Sequence, residues 1–238
     1  MTDSLHDLAP STSRPSDGSE VVLRAALTHR DRDAMFALYT TYFATSDRVT
    51  FERDLAEKEW VVLLRDASGT IDGFSTLMRM RVGDATVFYS GDTIVARHRW
   101  GTFDLPRTWS RHVFAEADAN TYWFLISSGY RTYRYLPLFF RDFYPRPDHD
   151  LSLKPLLDEI AIAKFGDAYD PQSGVVRLAT PAPLRDGVSD PELRLHNPHV
   201  RFFVDANPGH VHGDELACLV PIDVANLTPA GLRMIGRR

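Results

Sequence analysis

Apolar positions change period along this chain, and the changes mark its elements. Val21, Val22, Leu23, Ala25, Ala26 and Leu27 form a short apolar run of strand character. From His29 the period becomes helical: Met35, Phe36, Leu38, Tyr39, Tyr42 and Phe43 fall on one face, with Thr28 placed to cap it. A more polar helix is predicted over 50–58. Trp60 to Leu64 is continuously apolar and reads as a buried strand. A turn at Asp66 to Gly69 returns the chain along Ile71 to Arg81, and a second turn at Val82-Gly83-Asp84 leads into a third long strand, Ala85 to Val95. Gly91 lies inside that strand, where a bulge or a close backbone approach is expected.

Beyond the meander the pattern predicts alternating helices and strands. Arg97 to Phe103 is a loop, Asp104 an N-cap, and Pro106 an early residue of a helix reaching about Asp118. Thr121 to Ser127 is a strand. Tyr130 to Phe143 is a helix limited by Pro137. Leu156 to Phe165 is helical, 166–174 a turn and Val175 to Ala179 a short strand. A long connection follows over 181–198, of a length that points to a lid or a functional segment. Val200–Val204 and Leu216–Val224 read as two closing strands. The fold class is therefore α/β (α+β), a mixed central sheet flanked by helices in a single domain. Residues 1–19, rich in Ser, Thr, Pro and Asp, are expected to be a disordered tail. The domain covers 20–238, with 145–199 as an elaboration and 200–224 as a C-terminal strand pair.

Composition narrows the function. The net charge is −5, against a nucleic-acid binder. The N-terminus lacks the apolar region of a secretory signal, and no run reaches the roughly 18 apolar residues of a membrane helix, so a soluble cytoplasmic protein is expected. The single cysteine, Cys218, excludes a disulfide framework and a cysteine-based zinc site. It lies in an apolar run, as a buried thiol does. His210-Val211-His212-Gly213-Asp214 has the start of a metallohydrolase motif. Glu215 stands where a further histidine is needed, and no histidine follows; no metal is expected. Ser127-Ser128-Gly129 lacks the flanks of a nucleophile elbow. The aromatic, Arg-rich run 130–146 suits an apolar substrate pocket or a homodimer interface.

This order of elements resembles the GNAT superfamily of acyl-CoA-dependent N-acyltransferases. VVLRAALTHRDRDAMFALY is similar to the family's first strand and helix. WVVLLRDASGTIDGFSTLMRM is similar to its second and third strands. DTIVARHRWGTFDLPRTW is similar to its fourth strand, phosphate loop and following helix, and TYWFLISSGYRTYRYLP falls where its fifth strand and fourth helix stand. The family's phosphate turn is Arg/Gln-x-x-Gly-x-Gly/Ala. Here the stretch is His98 to Phe103, with Gly101 in place, His98 in the first position and Phe103 in the last. Small residues there let backbone N–H groups and a helix N-terminus face a phosphate.

The resemblance implies acyl transfer from an acyl-CoA or acyl-carrier-protein thioester to a small-molecule amine. Arg97, Arg99, Gly101 and Thr102 would hold the phosphate, Asp92 would assist amine deprotonation, and Tyr133 would protonate the leaving thiolate. An acyl carrier protein would be the partner if the donor is not CoA. The alternative, to which Phe103 and Asp104 point, is a GNAT-shaped binding or assembly module without catalysis.

Overall fold

The computed structural model describes residues 18–148, 150–189 and 194–237. The expected tail lies outside these, save Gly18 and Ser19. β1 (Ser19–Leu23), β2 (Trp60–Arg65), β3 (Ile71–Val82) and β4 (Ala85–Val95) form an antiparallel meander. Before β2 come α1 (His29–Tyr42) and α2 (Arg48–Ala56). Thr28 and Asp31 close a capping box at the start of α1, and Asp47 accepts from Val49 N and Thr50 N at the start of α2.

α3 (Asp104–Glu116) crosses the sheet and returns the chain to β5 (Thr121–Ser127), which runs parallel to β4. β8 (Glu215–Pro221) pairs antiparallel with β5, and the two-residue strands β7 (Val175–Val176) and β6 (Tyr169–Asp170) finish the edge. The described sheet thus has the order β1-β2-β3-β4-β5-β8-β7-β6.

Alternation sends successive residues to opposite faces. Val62, Leu64 and Phe88 pack with α3 together with α4 (Tyr130–Tyr133), α5 (Tyr135–Phe139), α7 (Pro198–Ala206) and α8 (Pro229–Met234). On the other face Val61, Leu63, Phe74 and Ile94 pack under α1 and α2. Val87, Tyr89, Phe124 and Ala217 pack under α6 (Lys154–Phe165). That face therefore carries two apolar clusters rather than one. No described helix is long and apolar enough to cross a membrane.

Several expectations change. Val200–Val204, expected as a strand, lies in α7. Asn197 accepts from His199 N and Val200 N, Pro198 sits in the first turn, and Val200 and Phe203, three residues apart, are the buried pair. The C-terminal strand pair is thus one strand, β8, and its partner is β5. The expected helix 130–143 breaks at Arg134 and ends at Phe139. Residues 24–26 form a 3₁₀ turn rather than prolonging β1, and the strand at 175 is two residues long. Asp104 is the first helical residue, not the cap.

Candidate functional site

β4 and β5 stay paired from Thr86↔Thr121 to Ser90↔Leu125 and then part. β5 continues beside β8 through Ser127↔Leu216, while β4 continues beside β3 through Val95↔Gly73. On β3 the register slips between Ser75, opposite Thr93, and Leu77, opposite Ser90, so Gly91 and Asp92 together face Thr76. This is the bulge expected at Gly91. It re-aims the residues after it, and from Gly91 onward β4 is paired on one side only.

A cavity of about 970 Å³ fills the gap. Its floor includes Gly91 to Val95 of β4, Ile126 of β5, and Ser128 and Gly129 just after it. Tyr39, Tyr42, Asp54 and Glu57 of α1 and α2 form one wall, and Glu215 of β8 reaches it from the other side. The long connection after β7 crosses over it, presenting Leu178, Leu184 and Val188. That strap is tied down: Ala44 N donates to Pro183 O at 2.9 Å, Arg185 N to Tyr42 O at 2.8 Å, and Arg131 Nε to Val188 O at 3.1 Å. Of the connection expected as a lid or functional segment, residues 190–193 lie outside the described residues.

Asp92 lines the cavity beside Asp54 and Glu215. Burial first, and then the Asp54 charge, raise its carboxyl to about 7 against the pull of Lys58. Glu215 is raised to about 8 by burial and then by the Asp92 charge. Two carboxyls that share a cleft resist losing both protons. Burial, with the charges of Asp92, Glu215 and Asp54, also pushes the Tyr39 hydroxyl well above its ordinary value.

At the other end lie Arg99, Gly101, Thr102, Phe103, Arg131 and Arg134. Gly101 has φ +87°, and a Cβ added there would meet nothing within 4 Å, so this backbone faces open space. Phe103, the N-cap of α3, makes no side-chain cap bond; Pro106 has no N–H and Arg107 N donates to Phe103 O, so the first turn offers only the Asp104 and Leu105 amides. The Asp104 carboxylate lies 3.3 Å from Arg99 Nη2 and 3.9 Å from Arg107 Nη1. Arg97 is turned aside: Nη2 donates to Gly187 O at 3.1 Å and its guanidinium stacks over Trp100. Three of the four expected phosphate residues, Arg99, Gly101 and Thr102, thus share the cavity, and Arg97 braces the strap. Arg131 and Arg134, which the sequence reading left unassigned, stand at the same end.

The expected proton donor needs correction. Tyr133 is fully buried, its hydroxyl donates to Pro145 O at 2.9 Å, and it does not line the cavity. The break at Arg134 rotates the next residues, and Tyr135 is the tyrosine of these helices that does line it. Tyr133→Phe therefore strands a buried carbonyl. The expected result is a stability loss of about 1–2 kcal/mol in urea unfolding, with the turnover rate unchanged. A turnover fall of tenfold or more would return Tyr133 to the chemistry.

The remaining sequence candidates lie elsewhere. Cys218 is buried in β8 and its thiol is pushed up by burial. His210 is buried in a 3₁₀ turn, with Nδ1 2.8 Å from Asn207 O. Sequence reasoning missed Asp54, Glu57, Glu215 and Tyr39 as cavity residues. Only the acidic residue heading the apolar run of β8 offered a signal.

No protein-family model and no curated protein matches the chain. Among solved structures it is similar to an aminoglycoside 6′-N-acetyltransferase complexed with coenzyme A, at 11% identity and TM-score 0.40, covering 86% of this chain and 99% of that one. It is similar to a GNAT family N-acetyltransferase (YhbS) from Escherichia coli in complex with CoA, at 13% identity and TM-score 0.37. There it covers 49% of this chain and 66% of that one, just under two thirds of its length. A third is the histone acetyltransferase HPA2 and related acetyltransferase structure from Corynebacterium glutamicum, at 15% identity and TM-score 0.38, covering 55% of this chain and 90% of that one. The chain's own sheet is an antiparallel meander followed by one parallel step from β4 to β5, with those strands parting beyond Ser90, the order of strands that the sequence resemblance leads one to expect.

Proposed function

We propose that this chain is an N-acyltransferase, moving an acyl group from a CoA thioester to an amine by direct attack inside the cleft. The observation that carries the reading is the parting of β4 and β5 beyond Ser90, where the bulge brings Asp92 into a roofed cavity. The one-sided backbone of residues 91–95 would hold the amide-bearing arm of the thioester. Arg99, Gly101 and the first amides of α3, with Arg131 and Arg134 nearby, would hold its phosphates.

Asp92 accepts a proton from the incoming ammonium, directly or through a water. The free amine attacks the thioester carbonyl, the C–S bond breaks, the thiolate takes a proton from Tyr135, and the proton shed by the new amide nitrogen passes through water to restore the Tyr135 hydroxyl. A base poised near neutrality suits this task, because it is ionised at working pH yet still holds a proton well.

The end of the cavity under α1 and α2 favours a cationic amine. Asp54 and Glu57 are paired with Lys58 and Lys164. Among the described ion pairs Asp92 and Glu215 have no cationic partner, so an ammonium would complete them.

The test is acyl-CoA addition, read by thermal unfolding and by thiol release with a panel of amines. At about 100 times its Kd a donor stabilises by about 2.7 kcal/mol. Gly101→Val is expected to raise that Kd at least tenfold, because a β-branched residue is strained at φ +87° and fills the open face. Stabilisation by acyl-carrier-protein thioesters alone would change the donor. No stabilisation and no thiol release with either donor would leave a binding module.

A further inference from the structure

Lys58 follows α2, and its side chain is 0% exposed. Nζ donates to Asp54 O at 3.0 Å and to Asp54 Oδ1 at 2.6 Å. An ordinary surface pair at the same spacing, Lys154 and Asp158, leaves its two side chains 27% and 24% exposed. Burying an ammonium against a carboxylate that is itself 39% exposed is a poor way to stabilise a helix end. The position has another feature. Lys58 Cε lies 2.8 Å, and Nζ 3.4 Å, from where a Cβ on Gly91 would stand. The ammonium therefore sits directly beneath the bulge that presents Asp92.

Resting on the acyltransferase reading, we propose that Lys58 is a positioning residue whose buried ammonium, held by Asp54 under the Gly91–Asp92 bulge, sets the proton affinity of Asp92 without touching substrate. Lys58 and Asp54 act on Asp92 with opposite sign, the cation favouring the ionised carboxylate and the anion opposing it. The other titratable groups around Asp92 are Glu215 of β8, Tyr39 of α1 and Tyr89 of β4. Behind Tyr89 lie Lys164 of α6 and Glu57, the C-cap of α2. Of these, Tyr89 is touched by Lys58, whose Nζ lies 5.5 Å from its ring centroid, and Lys164 covers the same ring at 5.4 Å, so a cation stays on Tyr89 when Lys58 is replaced.

The experiment compares kcat/KM against pH for the wild type, Lys58→Met and Asp54→Asn, with the Asp92 carboxyl followed by ¹³C NMR and assigned by its loss in Asp92→Asn. Lys58→Met leaves Asp54 unopposed, so the Asp92 titration and the ascending limb of the rate should move at least one unit to higher pH. That is about a tenfold loss of rate on the limb. Asp54→Asn leaves Lys58 unopposed, and both should move to lower pH. A merely structural lysine would lower the rate at every pH and leave the titration where it was; that result overturns the proposal. If Lys58→Met does not fold, the direction of the Asp54→Asn shift decides: an unmoved or alkaline-shifted limb overturns it. Opposite NMR shifts in a protein that transfers no acyl group would uphold the electrostatic pair and defeat the acyltransferase reading.

Discussion

Asp92→Asn is expected to lower kcat/KM for amine acylation about 10²- to 10³-fold at pH 8 while the folded protein becomes no less stable. The two halves follow from the same carboxyl. A group that takes the proton of the amine cannot be replaced by an amide, so the ascending limb near pH 7 should disappear with the rate. The stability half needs the sign of the shift. Burial, and then the Asp54 charge, push the carboxyl from its ordinary 3.8 up to about 7 in the fold. Between those values the unfolded chain has lost the proton and the folded chain still holds it. Folding stability therefore falls as pH rises through that window, and it stays reduced above it. Asparagine removes that loss, so the melting temperature at pH 8 should equal or exceed that of the wild type. Near pH 3, where both states hold the proton, the two proteins should differ least. A melting point several degrees lower at pH 8 would make Asp92 a structural residue. An unchanged rate would take it out of the mechanism.

The resemblance pointed to Asp92, and its neighbour Gly91 marks the bulge locally; the places of Glu215 and Asp54 beside it rest on contacts that are not local. A glycine inside a long β run marks a bulge, and the residue beside it inherits a special direction; both facts lie within three positions of one another. The meander was legible for the same reason: Trp60 to Leu64, the turn at Gly69 and the return from Ile71 are short-range signals. Glu215 reaches the cavity only because β8 pairs with β5, far away in sequence, and Asp54 only because α2 lies over the bulge. No periodicity encodes either neighbour.

Where local signals conflicted, the reading failed. VRFFV has the β-branched and aromatic content of a strand, but Asn197-Pro198 starts a helix, and burial of Val200 and Phe203 completes one. Tyr133 and Tyr135 look alike in a continuous helix; a break at Arg134 separates a core tyrosine from a cavity tyrosine. At the Gly101 end of the cavity, Asp104 stood in the sequence as an argument against catalysis; in the fold its carboxylate is drawn 3.3 Å from Arg99 Nη2.

Gly91→Ala is expected to damage both stability and rate, and a second substitution should repair it. The added Cβ would stand 2.8 Å from Lys58 Cε and 2.8 Å from Thr76 Oγ1, closer than carbon tolerates. Lysine can retreat through its own flexible chain. Thr76 cannot: it is β-branched, 1% exposed, and fixed in β3 opposite the bulge. The overpacking should cost about 1–3 kcal/mol. The strand must move away, carrying the Asp92 carboxylate with it, and a displacement of about 1 Å is enough to lower a rate about 10²-fold.

Thr76→Ala opens the space that the new methyl needs. It also removes a buried hydroxyl that has no hydrogen-bond partner among the described residues, so the single variant should be nearly neutral. In the double variant the methyl introduced at position 91 occupies part of the volume Thr76 vacated. Stability should return to within about 1 kcal/mol of the wild type, and most of the rate should return with it. If Gly91→Ala is neutral alone, the bulge has slack and does not fix Asp92. A double variant as impaired as Gly91→Ala would place the damage in the backbone preference of position 91 instead of in the collision with Thr76.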